Sequence, residues 1–166
     1  MKVEIPPSAG QRAIADIIEN HIVEEYTALG GIKPSSVRTI EDVTYQNNLI
    51  DIKTRDIDRD FSMPNLISVD RAMKNRDKTI VYDFIEYRVF NNEAIITHRE
   101  QRTLHSLCFS CLSIQNLGLG QLQIRNHRIP QYRGSKDEWY YQLRLEMNKF
   151  YSKQISKFQK LIQLKE

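Results

Sequence analysis

Cysteine is scarce: two residues in 166. That is too few for a disulfide framework and points to a reducing, cytoplasmic setting. Six Gly and five Pro exclude collagen-like and low-complexity classes. Apolar runs are short, far below the roughly eighteen residues a spanning helix needs, so no membrane segment is expected. The opening stretch MKVEIPP lacks the apolar core of a secretory signal. Gly118-Leu119-Gly120 lacks the third Gly and the strand-to-helix context of a dinucleotide fingerprint, so no nucleotide cofactor is expected. What is present is ordinary globular material, 40% hydrophobic and 27% charged. Disorder as the main state is thereby excluded, and one domain spanning 1–166 is expected.

The net charge of +3 names no partner, but its distribution is uneven. Residues 1–30 carry two basic and five acidic side chains, and residues 31–120 twelve of each. Residues 121–166 carry ten basic and four acidic. A positive C-terminal third suits a polyanion-facing surface, although a solvated helix face plus a basic loop gives the same count.

Ser8 with Gln11 forms a capping-box pattern, and Ile14, Ile18, Ile22, Tyr26 and Leu29 follow at helical spacing before Gly30-Gly31. This predicts an amphipathic helix over 9–29. Residues 37–44 alternate as a strand, 46–48 (QNN) signal a turn, and 49–54 form a second β-rich run, together a hairpin. A polar loop over 55–65 and a short helix over 66–75 are expected next. Residues 79–90 and 93–104 flank Asn91-Asn92 as a second hairpin. Residues 121–125 read as a strand, 126–135 as a basic loop, and 136–164 as a long amphipathic helix. The order predicts an α/β fold with a central sheet.

The chemistry concentrates in residues 42–53 (DVTYQNNLIDIK). Strand side chains alternate, so Ile50 and Ile52 face one side and Asp51 and Lys53 the other. Any even-length loop puts Asp42 on the face of Asp51 and Lys53; an odd-length loop puts it on the Ile face. A 46–47 or 45–48 loop sets Asp42 opposite Asp51, whereas a 47–48 loop sets it opposite Lys53. Two carboxylates, with the Ile52 carbonyl between Asp51 and Lys53, form a hard-oxygen set suited to Mg²⁺. Lys53 is then placed to serve an attacking water and an anionic phosphorus centre. Alternating charges on an exposed strand are common; here the Ile flanks and the second acid across a turn single the pattern out.

The segment resembles the PD-(D/E)xK nuclease superfamily, with its restriction-endonuclease-like fold. In that family an Asp near a strand end precedes an acid-x-Lys on the next strand; the matching residues are Asp42, Asp51 and Lys53. The order helix–hairpin–loop–helix–strand fits the same core. Residues 62–68 (SMPNLIS) and 112–123 (LSIQNLGLGQLQ) look like segments of type II restriction endonucleases. The resemblance implies a restriction-endonuclease-like fold with a central mixed β-sheet flanked by helices. It also implies Mg²⁺-dependent cleavage of double-stranded DNA at a specific sequence by a homodimer. Two departures stand out: Glu41, not Pro, precedes Asp42, and the Asp42–Asp51 interval is short. Many members add a metal-site Glu from the first helix; Glu19 and Glu25 are the candidates, neither in a matching motif, and both stay outside the expected set.

For DNA contact the expected residues are Arg125, Arg128, Arg133 and Lys136 in the basic loop, with Arg55 and Asn65 in the loop after the catalytic strand. Lys149, Lys153, Lys157 and Lys160 line the last helix as a stripe that reads as a solvated face. His105, Cys108, Cys111 and His127 have soft-ligand character without a known zinc spacing, so buried thiols are expected there. A repair or recombination nuclease of the same fold, or a DNA-binding module without catalysis, are the rival functions.

Overall fold

The structure, a computed structural model, describes residues 1–35, 40–60 and 64–163. The chain forms two compact units, Met1–Pro64 with Asp77–Leu104, and Asn65–Arg76 with His105–Glu166.

The first unit is one α-helix on a five-stranded mixed sheet. Helix α1 (Gln11–Ala28) buries Ile14, Ile18, Ile22 and Tyr26 of the expected stripe, with Val23 beside them, whereas Leu29 falls at the C-cap and is exposed. Its N-cap is Gly10 without a side-chain cap bond, not Ser8, because Ser8 lies in a turn closed by the Ala9 amide on the Pro6 carbonyl. The helix ends on Gly30 at φ 94°, a left-handed position that Gly occupies without strain. Gly31 then passes so close to the Tyr26 carbonyl that a Cβ would sit 2.7 Å from its oxygen.

Strands β1 (Lys2–Glu4), β2 (Val43–Tyr45), β3 (Asn48–Asp56), β5 (Thr79–Phe90) and β6 (Glu93–Thr103) form the sheet in the order β1-β6-β5-β3-β2; β4 lies in the other unit. Both expected hairpins are present, β2–β3 and β5–β6. The expected strand over 37–44 is seen as Val43–Tyr45, residues 36–39 lying outside the described set. The two hairpins join by a parallel pairing of β3 with β5, in which Asp51 stands beside Tyr82 and Ile52 beside Asp83. The sheet is therefore mixed, as expected. Ile50, Ile52, Val81 and Ile85 share their buried cluster with Ile14, Ile18 and Ile22 of α1.

Asp83, fully buried, interrupts this apolar layer. The Tyr26 hydroxyl donates to it at 2.6 Å and the Arg99 guanidinium at 2.7–3.1 Å. Arg99 also donates to Glu25 at 2.7 Å, and Gln101 Nε2 donates to the Tyr26 hydroxyl. A buried carboxylate is tolerated only with such compensation.

The second unit has a three-stranded antiparallel sheet, β4 (Asn65–Ser68), β8 (Gln121–Ile124) and β7 (Leu112–Gln115), in the order β4-β8-β7. The helix expected over 66–75 is corrected: Leu66 and Ile67 are buried in β4, and helix α2 (Val69–Lys74) begins only after Ser68. A short apolar run does not distinguish strand from helix, and the Ser68 hydroxyl, accepting from the Arg71 amide at 3.3 Å, sets the boundary. Helix α3 (Lys136–Gln163) starts on a Ser135/Glu138 capping box. Its first half buries Trp139, Tyr140 and Leu143, and the Trp139 indole donates to the Leu107 carbonyl at 2.8 Å. The Tyr151 hydroxyl donates to the Leu119 carbonyl. Farther along, Ile155, Phe158, Leu161 and Ile162 are exposed. Among the described residues no helix is long and apolar enough to cross a membrane.

Removing Arg99 leaves Asp83 buried without its cation. Arg99→Ala is expected to lower unfolding free energy by about 3 kcal/mol in urea titrations. The double variant Asp83→Asn/Arg99→Ala should recover part of that loss.

Candidate active site

A two-residue turn decides the geometry. Gln46 and Asn47 hold positive φ, 48° and 62°, the backbone of a type I′ hairpin turn. Val43 then pairs with Ile50, Thr44 with Leu49 and Tyr45 with Asn48. The loop is even-numbered; the ladder ends at Val43–Ile50, and the Asp42 amide donates to the same Ile50 carbonyl at 2.8 Å.

Asp42 does not extend the ladder with its own backbone beyond that point. Its side chain takes over: Oδ2 accepts the Ile52 amide at 2.7 Å. The N–H and C=O of one strand residue leave from the same edge, so the Ile52 carbonyl faces the edge where Asp42 lies. Lys53 Nζ donates to Asp51 Oδ1 at 2.6 Å. The structure thus brings Asp42, Asp51, Lys53 and the Ile52 main chain together.

Asp51 is 7% exposed, and its carboxyl is pushed from an ordinary 3.8 up to about 7. Burial is the largest cause; the Lys53 ammonium opposes it and the neighbouring Asp42 carboxyl reinforces it. Glu19 of α1 is pushed from 4.5 up to about 7, first by burial and then by Asp42, with Lys53 opposing. Its Oε1 accepts from the Thr54 hydroxyl at 3.4 Å. Glu19 therefore lies within electrostatic range of Asp42 and Lys53, while its hydrogen bond is with Thr54. Its partner candidate Glu25 instead pairs with Arg99. A sequence signal for Glu19 exists, since it sits beside Ile18 on the border of the buried stripe, where a carboxylate is shielded on one side.

Among the described residues no three His, Cys, Asp or Glu side chains form a preassembled metal cage. The donor set nevertheless fits Mg²⁺, which takes one or two carboxylates and keeps several waters. Asp42 and Asp51 carry hard oxygen donors, the Asp42 carboxyl raising the electrostatic cost of charge at Asp51, and a buried carboxyl opposed by its neighbour is relieved by a divalent cation.

The expected DNA contacts fall in both units. Arg55, on the Asp51–Lys53 face of β3 by alternation, pairs with Glu86 at 3.0 Å. In the second unit, exposed Asn65 accepts from Gln123 at 3.0 Å, and Arg125 donates to the Phe109 and Ser110 carbonyls at 3.4 and 3.2 Å. The Arg128 amide donates to Asn126 at 3.0 Å. Arg128 and Arg133 are exposed, and Lys136 opens α3 half-buried. Cys111 is buried and Cys108 half-buried.

A carboxyl with a raised folded-state pKa favours folding below its unfolded pKa and loses that contribution as pH rises through about 7. Asp51→Asn is therefore expected to stabilise the metal-free protein at pH 8 by on the order of 2 kcal/mol. The gain should shrink toward pH 5. Thermal melts at both pH values check this, and Mg²⁺ should raise the melting temperature of the wild type but not of Asp51→Asn.

No family model matches the chain, and no curated protein matches it. Solved structures do. NlaIV restriction endonuclease matches with a TM-score of 0.51 at 10% sequence identity, over 84% of this chain and 63% of that one. The chain thus spans less than two-thirds of the length of that enzyme. At such identity the likeness is one of backbone arrangement: this chain has a mixed α/β, restriction-endonuclease-like fold.

Proposed function

We propose that the protein is a Mg²⁺-dependent endodeoxyribonuclease that hydrolyses phosphodiester bonds of double-stranded DNA at a specific sequence, as a type II restriction endonuclease does. The observation that carries the reading is the convergence of Asp42, Asp51, Lys53 and the Ile52 main chain on one sheet edge. The restriction-endonuclease-like fold supports it.

In this reading Asp42, Asp51 and the Ile52 carbonyl hold Mg²⁺, with Glu19 at hand as a further carboxylate. Bound Mg²⁺ supplies Lewis acidity, which acidifies water and offsets phosphate charge. The protein does the rest. Asp51 holds the Lys53 ammonium at 2.6 Å, so its position is set before substrate arrives. Lys53 then orients the attacking water and stabilises negative charge growing on the phosphoryl oxygens. The water oxygen bonds to phosphorus as the bond to the leaving oxygen breaks; the water gives up a proton to solvent, and the leaving oxygen takes one up from solvent. Burial around Asp51 keeps bulk water from screening these charges. Arg55, Asn65, Arg125, Arg128, Arg133 and Lys136 supply contacts to the duplex. A homodimer belongs to the reading through the resemblance to type II restriction endonucleases, in which a two-fold protein matches the two strands of a palindromic duplex.

Asp51→Ala and Lys53→Ala are each expected to lower cleavage of plasmid DNA with Mg²⁺ by at least about a hundredfold, with folding and DNA binding retained. End-sequencing of the wild-type products should return one recurrent site. Full activity in either variant overturns the assignment, and scattered, structure-dependent nicks favour a repair or recombination nuclease.

A further inference from the structure

The second unit contains a groove from which the proposed duplex contacts draw only Arg125. It lies between the β7–β8 layer and α3 and has a volume of about 380 Å³, within the range of about 300–1,000 Å³ typical of small-ligand sites. Its floor is apolar and partly aromatic, with Phe109, Ile114 and Phe150 contributing. None of these three side chains is fully buried. The rim is charged: Arg125, Lys149 and Lys153 stand against a single carboxylate, Glu146.

These cations are held in different ways. Arg125 donates to the Phe109 and Ser110 carbonyls, which positions the guanidinium without neutralising it. Lys149 pairs with Glu146 at 2.8 Å. Lys153 lies one helical turn beyond Lys149, and Lys157 one turn beyond that. The three are therefore spaced about 6 Å apart along the axis on one face. The groove thus opens onto a continuing line of positive charge.

We propose that this groove takes an unpaired nucleotide of a single-stranded nucleic acid, its base against Phe109, Ile114 and Phe150 and its backbone along Arg125, Lys149, Lys153 and Lys157. Two complementarities select that occupant. The excess of cations selects an anion. The apolar aromatic floor selects one with an exposed flat face, which a base in a duplex does not offer because its faces are stacked. Aromatic platforms under a cationic track are how single strands are bound without base-edge readout. The inference rests on the nuclease reading only in taking the polyanion to be DNA. It adds a strand-separated segment as ligand, held by the second unit.

The test is fluorescence anisotropy of the full chain in EDTA, where no hydrolysis occurs, with labelled oligothymidylate and with a blunt duplex of equal length. Oligothymidylate is expected to bind more tightly than the duplex. Phe150→Ala should weaken it about tenfold, and so should Phe150→Leu, which keeps apolar packing and removes the ring. Lys153→Gln should flatten the salt dependence by about 0.7 in log–log slope. The inference is overturned if the wild type does not bind oligothymidylate, if duplex binds equally well, or if folded Phe150→Leu binds as the wild type does. Failure of plasmid cleavage with oligothymidylate binding intact removes the nuclease reading alone; cleavage without oligothymidylate binding removes this one alone.

Discussion

The turn at Gln46 and Asn47, both at positive φ, constrains all the chemistry of the first unit. With two residues in the loop, the ladder closes at Val43–Ile50, and the Asp42 carboxylate just beyond it reaches the Ile52 amide. One residue more or fewer would rotate Asp42 onto the apolar face packed by α1 and leave Asp51 without a neighbouring acid. Gln is an uncommon choice at a left-handed position, where a Cβ crowds the backbone by about 1–2 kcal/mol. The strain sits beside the carboxylate cluster, within the one hairpin that orders it.

Two buried carboxylates in the same sheet show how differently burial is used. Asp83 is surrounded by donors: Tyr26, and Arg99 through more than one nitrogen. Asp51 has a single ammonium and faces another carboxyl. The first arrangement is complete as it stands and joins α1, β5 and β6. The second is under-compensated, and a divalent cation is the partner whose charge would complete it. That contrast separates an acid whose charge is fully answered by protein donors from one that is not, and the second is the kind of acid the proposed function calls on.

Local signals were readable where an element makes its own contacts. The stripe Ile14, Ile18, Ile22 and Tyr26 marked α1, and the β-branched and aromatic run 79–90 marked β5 to the residue. Asp42, Asp51 and Lys53 were readable as one set because a hairpin is local and strand alternation is strict. The parallel pairing of β3 with β5 was not, since nothing in either strand states its partner across an intervening crossover. The three-residue edge strand β1 pairs with β6 some ninety positions later and is too short to carry a period. Leu66 and Ile67 were misread as helix because two buried apolar residues before a capped turn fit either state. Glu19 and Glu25 could not be told apart as candidates, because only the packing of α1 shows Glu25 paired with Arg99 and Glu19 near Asp42.

The route of the chain between β3 and β5 has one more consequence. That crossover carries β4 and α2, which belong to the second unit, while β4's partner β8 arrives more than fifty residues later. As the polypeptide leaves the ribosome, the first unit can therefore close around a loop bearing a lone strand with an unsatisfied edge. Assembly of the second unit then waits on the rest of synthesis, so the two units are interleaved in the order of their birth rather than made one after the other.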